Sequence, residues 1–142
     1  MLFRQLFERE SSTYTYLIAP HAGGEALLID PVKTELGKYL QLIDELGLRL
    51  VFAIDTHVHA DHVTALGDLR AASNCATLMG EQSKAECVSR KFSDGERIKV
   101  GGLELRALYT PGHTDDSYSF LMKDRVFTGD TLLIRGSGRT DF

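Results

Sequence analysis

Residues 48–54, Leu-Arg-Leu-Val-Phe-Ala-Ile, form a nearly continuous apolar run that leads directly into a histidine-rich segment. A strand that is apolar on both sides has to be covered on both faces, which is the situation of a strand inside a sheet flanked by further layers. This run therefore excludes a sheet with one face left in water. With 142 residues, of which 43% are hydrophobic, the chain is long enough for one domain with a real core and too short for two.

The segments around that run supply the other layers. Tyr14 to Ala19 is β-branched and aromatic, Glu25 to Ile29 is apolar, and His21-Ala-Gly-Gly24 between them is turn material, so a β-hairpin is expected. From Thr34 the period changes: Leu36, Leu40, Ile43 and Leu46 recur at helical spacing before Gly47, which predicts an amphipathic helix with Thr34 as its N-cap. A second helix is expected from Val63 to Ala72, a strand over 76–79, and a weak helix over 81–90. Residues 97–100 and 103–109 read as strands joined at Gly101-Gly102, and residues 118–122 and 125–128 as a hairpin turning at Lys123-Asp124. Thr131 to Phe142 has the Gly-rich character of a functional loop. Helices and strands that alternate early and give way to strands later make an α+β fold, a mixed sheet covered by helices.

Charge and cysteine usage remove several function classes. The net charge is -4 and the pI about 5.7, with basic residues scattered, so no footprint for nucleic acid is present. The N-terminus is charged throughout and lacks the apolar stretch of a signal peptide or membrane helix, which predicts a non-secreted, cytoplasmic protein without a membrane partner. Cys75 and Cys87 fall in no metal-finger spacing, fit a reducing compartment, and are read as structural or neutral. Tyr14 and Tyr16 are read as packing residues.

The chemistry concentrates in Thr56-His57-Val58-His59-Ala60-Asp61-His62, three imidazoles and a carboxylate directly after the buried strand. A lone histidine is usually a surface or hydrogen-bonding residue, but three of the chain's five within six positions are not explained that way. Imidazole is the commonest ligand for Zn, Fe, Cu and Ni, and a strand end followed by a loop lets such residues converge. Two further segments place one potential ligand just beyond a strand end: Pro111-Gly112-His113-Thr114-Asp115-Asp116 and Thr128-Gly129-Asp130. An aspartate beside glycine is ordinarily a turn residue. In company with the first cluster, His113 and Asp130 become ligand candidates at one edge of the sheet.

Taken in order, His57-x-His59-x-Asp61-His62, Gly112-His113 and Gly129-Asp130 resemble the metal-binding motifs of the metallo-β-lactamase superfamily. The resemblance implies that fold, an αβ/βα sandwich of mixed β-sheets. Ser12 to Leu17, Ala26 to Pro31, Asp55 to His62 and above all Thr128 to Phe142 are similar to its persulfide dioxygenase branch, which is related to glyoxalase II. That branch implies one Fe(II) per chain held by His57, His113 and Asp130. His59, Asp61 and His62 would then orient ligands or move protons. Two imidazoles and one carboxylate leave coordination positions open for dioxygen and a sulfur ligand, as a closed tetrahedral zinc site does not.

The reaction so implied oxidises glutathione persulfide with dioxygen to sulfite and glutathione. Arg135 and Arg139 are suited to the two carboxylates of the glutathione moiety, with Asp141 holding one arginine in place. A homodimer is compatible with the resemblance. Family members run past the Arg-Thr-Asp-Phe segment, so residues 1–142 are expected to be the N-terminal portion of a single metallo-β-lactamase-fold domain, truncated before its C-terminal half. Ser137 stands where some members carry cysteine.

Two other readings fit the same residues. A glyoxalase II-like hydrolase of glutathione thioesters would hold Zn(II) on His57, His59 and His113 and a second Zn(II) on Asp61, His62 and Asp130. No histidine follows His113, so the full two-metal site of the hydrolases cannot be completed from this chain alone. A non-catalytic metal- or glutathione-binding fragment would bind without turnover and associate through an exposed sheet edge.

Overall fold

The computed structural model describes residues 1–57, 64–83, 88–111, 116–123, 125–127 and 132–134. These form two facing sheets with a pair of helices on the outside of the first. The first sheet orders β1 (Leu2–Glu8), β2 (Thr13–Ala19), β3 (Glu25–Ile29), β4 (Arg49–Ile54), β5 (Ala76–Gly80) and β6 (Arg90–Phe92) side by side. Its first three strands are antiparallel and β3 to β6 run parallel, so the sheet is mixed. The second sheet is antiparallel throughout, ordered β11 (Leu132–Ile134), β10 (Arg125–Phe127), β9 (Tyr118–Leu121), β8 (Leu103–Tyr109) and β7 (Arg97–Val100).

Both faces of the first sheet are apolar because each has its own partner. One face contributes Tyr16, Ile18, Leu27, Ile29, Ile54 and Leu78 to a core shared with Ile98, Leu105, Ala107 and Phe120 of the second sheet. The other, carrying Leu17, Leu28, Leu50 and Ala53, is covered by Tyr39 and Ile43 of α1 (Leu36–Glu45) and by Leu66 and Leu69 of α2 (Leu66–Ser73). This double cover is what the apolar run over 48–54 requires. Cys75 is buried on the helix side and packs there as a small apolar group, and Tyr16 is fully buried between the sheets.

Several boundaries differ from the sequence reading. Thr34 is not a cap: it lies inside a 3-10 turn, Lys33–Glu35, closed by the Glu35 N–H donating to the Val32 carbonyl at 3.0 Å, and α1 begins only at Leu36. Gly47 does end the helix, with a left-handed φ of +64° that suits a residue without Cβ. The second helix starts at Leu66 rather than near Val63, because Thr64 forms a bridge with Val32 and its hydroxyl accepts the Leu66 N–H at 3.3 Å. The expected helix over 81–90 gives way to turns at 81–82 and to β6 from Arg90, with 84–87 outside the described residues. Residues 132–134, expected in a loop, pair as β11 with β10. Among the described residues, no helix is long and apolar enough to cross a membrane.

Candidate metal centre

Parallel strands deliver their C-terminal ends to one edge, and ligands of open α/β sheets gather outside such ends. Here β3 leads directly into Asp30, β4 into Asp55-Thr56-His57 and β5 into Glu81-Gln82. Lateral hydrogen bonds lock these ends together: the Asp30 N–H donates to the Ile54 carbonyl at 2.7 Å and the Asp55 N–H to the Leu78 carbonyl at 3.1 Å. Asp30 holds a left-handed φ of +56°, a conformation that aspartate tolerates better than most residues, and its side chain turns toward β4.

That carboxylate is fully buried and receives both donors of Thr56, the backbone N–H at 2.7 Å on Oδ1 and the hydroxyl at 2.8 Å on Oδ2. The Thr56 hydroxyl also lies 2.8 Å from Nδ1 of His57. A hydroxyl has one proton, and a carboxylate only accepts, so that proton goes to Asp30 and the Thr56 oxygen accepts from His57. The network thus assigns the ring proton of His57 to Nδ1 and the lone pair to Nε2, a tautomer that can ligate a metal through Nε2. Behind Asp30, its carbonyl accepts from the Thr15 hydroxyl at 2.7 Å, which is 3.1 Å from the Tyr39 hydroxyl, and Tyr39 accepts the Val32 N–H at 3.0 Å. Burial pushes the Tyr39 phenol above its ordinary pKa, with the Thr15 and Val32 hydrogen bonds opposing, so it stays a neutral member of this chain.

The segment bearing His59, Asp61 and His62 is pinned at both ends to one turn. It leaves from Thr56 on Asp30 and returns at Thr64, bridged to Val32, and Ala65, whose N–H donates to the Pro31 carbonyl at 3.1 Å. The segment bearing His113 is closed likewise: the Thr110 N–H donates to the Ser117 carbonyl at 3.0 Å, and the Thr110 and Ser119 hydroxyls are 2.9 Å apart. The described flanks of the two segments are joined where the Tyr118 N–H donates to the Thr56 carbonyl at 2.8 Å.

Of the residues the sequence nominates, His57 is described, half-buried at the end of β4. His59, Asp61, His62, His113, Asp130, Arg135, Arg139 and Asp141 lie outside the described residues. Among the described residues no three His, Cys, Asp or Glu side chains converge as a metal-binding group. Sequence reasoning gave no role to Asp30, Thr56, Gln82 or Tyr118, which the fold brings to this edge. The nearest signal was a carboxylate at the end of an apolar strand and just before a proline, Asp30-Pro31.

Residues 9–87 match the profile of the Metallo-beta-lactamase superfamily. The chain is 45% identical over 145 residues to persulfide dioxygenase ETHE1, mitochondrial, of Homo sapiens, a match that covers all of this chain and 57% of that protein. It is 33% identical over 130 residues to the hydroxyacylglutathione hydrolase of Methylococcus capsulatus, covering 89% of this chain and 50% of that protein. The crystal structure of ETHE1 from Myxococcus xanthus superposes with a TM-score of 0.88 at 50% identity, over all of this chain and 63% of that one. The chain therefore spans about half the length of the curated relatives it matches, 57% of one and 50% of the other.

Proposed function

The chain belongs to the metallo-beta-lactamase superfamily, and from that membership we propose that it is the N-terminal portion of an iron-dependent persulfide dioxygenase. The observation that carries this reading is the 45% identity to ETHE1 across the entire chain, against 33% over a shorter stretch for the thioester hydrolase. Its substrates in this proposal are glutathione persulfide and dioxygen, and its products sulfite and glutathione. Glutathione persulfide, dioxygen and water balance to glutathione, sulfite and two protons.

The residues fit a divalent metal. His57 is held as the Nδ1–H tautomer by Thr56 and Asp30, which presents Nε2 as a donor. We assign His113 and Asp130 as the other two ligands; two neutral imidazoles and a carboxylate suit Fe(II) and leave positions open. Iron so bound supplies one-electron and dioxygen chemistry that side chains cannot. The protein's part is to orient and to move protons. Thr56 and Asp30 fix the His57 ring, His59, Asp61 and His62 handle the protons released with sulfite, and Arg135 and Arg139, steadied by Asp141, bind the glutathione carboxylates in paired hydrogen bonds. The buried thiol Cys75 is compatible with the reducing, cytoplasmic location proposed with this activity.

The hydroxyacylglutathione hydrolase match keeps a zinc hydrolase as the competing reading. One comparison separates them: the chain, alone and extended to the length of its relatives, is loaded with Fe(II) or Zn(II) and given glutathione persulfide or a glutathione thioester. Dioxygen uptake with stoichiometric sulfite in the iron form supports the dioxygenase. Thioester cleavage by the zinc form, with no dioxygen uptake by the extended iron form, refutes it.

A further inference from the structure

Tyr118 meets three segments at the edge of the first sheet where β4 and β5 end. Its backbone N–H donates to the Thr56 carbonyl at 2.8 Å, so it touches the stretch just after β4, one residue before His57. Its ring lies in a slot over Gly80 at the end of β5, where a Cβ would collide with Cδ1 and Cε1 of the ring. Its hydroxyl donates to the Gln82 carboxamide oxygen at 2.7 Å. Phe92 closes the slot edge-on at 4.8 Å between centroids, and Tyr109 lies alongside at 5.4 Å. The residue is 1% exposed.

Chain position gives these contacts a consequence. Tyr118 opens β9 directly after the 110–117 segment that bears His113, and Thr56 directly precedes His57. The hydrogen bond between them therefore directly joins the residues that flank the two imidazole-bearing segments. A tyrosine ring has two side-chain torsions, so the slot and the hydroxyl tether together determine where its backbone N–H can reach. Burial raises the phenol pKa, which favours the protonated hydroxyl that donates to Gln82.

We propose that Tyr118 is a positioning residue for the metal centre: seated over Gly80 and tethered to Gln82, it fixes the spacing between the segments that carry His57 and His113. This rests on the metal-site reading above. Metal–imidazole bonds hold near ~2.0–2.1 Å, so a donor pair whose spacing is allowed to drift binds more weakly and gives a less defined coordination geometry.

Anaerobic Co(II) is the probe, read by chelator-competition affinity and by its visible absorption, which reports coordination geometry. The variants are Tyr118→Phe, Gln82→Leu, the double variant, and His57→Ala as a control for the site itself. Tyr118→Phe and Gln82→Leu each weaken Co(II) binding about three- to tenfold, below the ~10–100-fold typical of a group touching the ligand itself. Both alter the absorption bands in the same way, and the double variant is no weaker than the worse single one, because each removes the same tether. Wild-type affinity and bands in Tyr118→Phe, with binding abolished in His57→Ala, overturn the inference and leave the metal site standing. Strictly additive losses in the double variant overturn it as well. Co(II) binding that is absent from the wild type, or unchanged in His57→Ala, removes the metal-site reading and this inference with it.

Discussion

Asp30 and Thr56, at the ends of neighbouring parallel strands, form a buried two-point contact in which one carboxylate takes both the backbone N–H and the hydroxyl, at 2.7 and 2.8 Å. The contact fixes where β4 stops and which way its next residue turns. It also spends the only hydroxyl proton of Thr56, so the 2.8 Å contact to His57 Nδ1 runs from imidazole to threonine.

Thr56→Val keeps the shape of the side chain and removes the hydroxyl. It is expected to weaken metal binding about 10–100-fold, because the imidazole loses the acceptor that sets its tautomer. The fold loses about 1–3 kcal/mol with the buried hydrogen bond from the Thr56 hydroxyl to the Asp30 carboxylate. Thr56→Ser retains the oxygen and stays near the wild type. Chelator competition and urea denaturation measure the two effects.

Asp30→Asn puts an amide donor against one of two donors that now find a carboxylate oxygen. About 1–3 kcal/mol of stability is lost by that mismatch. Equilibrium denaturation gives the value, and a variant as stable as the wild type would mean that Thr56 does not depend on this carboxylate.

Gly80→Ala drives a methyl into the Tyr118 ring and costs about 1–3 kcal/mol through overpacking. Combining it with Tyr118→Leu relieves the collision, so the double variant is more stable than the sum of the two single losses predicts. Thermal or urea unfolding of the four proteins reads the coupling, and simple additivity would place the ring elsewhere.

Stability falls in alkali, and Cys75 starts the fall. Burial raises the thiol pKa above its ordinary 9.0, so the folded chain keeps a proton that the unfolded chain releases. The stabilisation is fully present below about pH 9 and is lost as pH rises through the folded pKa. Tyr39 and Tyr118, raised from 10.0 chiefly by burial, extend the loss to higher pH. Urea midpoints at pH 8, 9 and 10 should drop less between the last two points in Cys75→Ala than in the wild type; parallel drops would contradict the assignment.

The strand order along the chain was largely legible, because period-two and continuous apolar runs mark β2 to β5 and β7 to β10 directly. β1 escaped: Leu2, Phe3, Leu6 and Phe7 recur at a spacing that serves a helix as well, and only the pairing of Leu2 with Ala19 through Glu8 with Thr13 makes it a strand. β6 is three residues, two of them charged, and exists through its partner β5. Candidate ligands could be nominated from the sequence because metal chemistry limits the choice to a few side chains crowded in short motifs. Their support could not, since Asp30 meets Thr56 across 26 residues and Tyr118 meets Gln82 across 36, distances over which a sequence carries no local pattern.

The most direct test is a metal count. Protein extended to the length of its relatives, purified without oxygen and loaded with excess Fe(II), should retain one iron per chain after desalting and lose it in His57→Ala, His113→Ala and Asp130→Ala alike. Two tightly held metals per chain, or iron that survives all three substitutions, would contradict a single centre built on those residues.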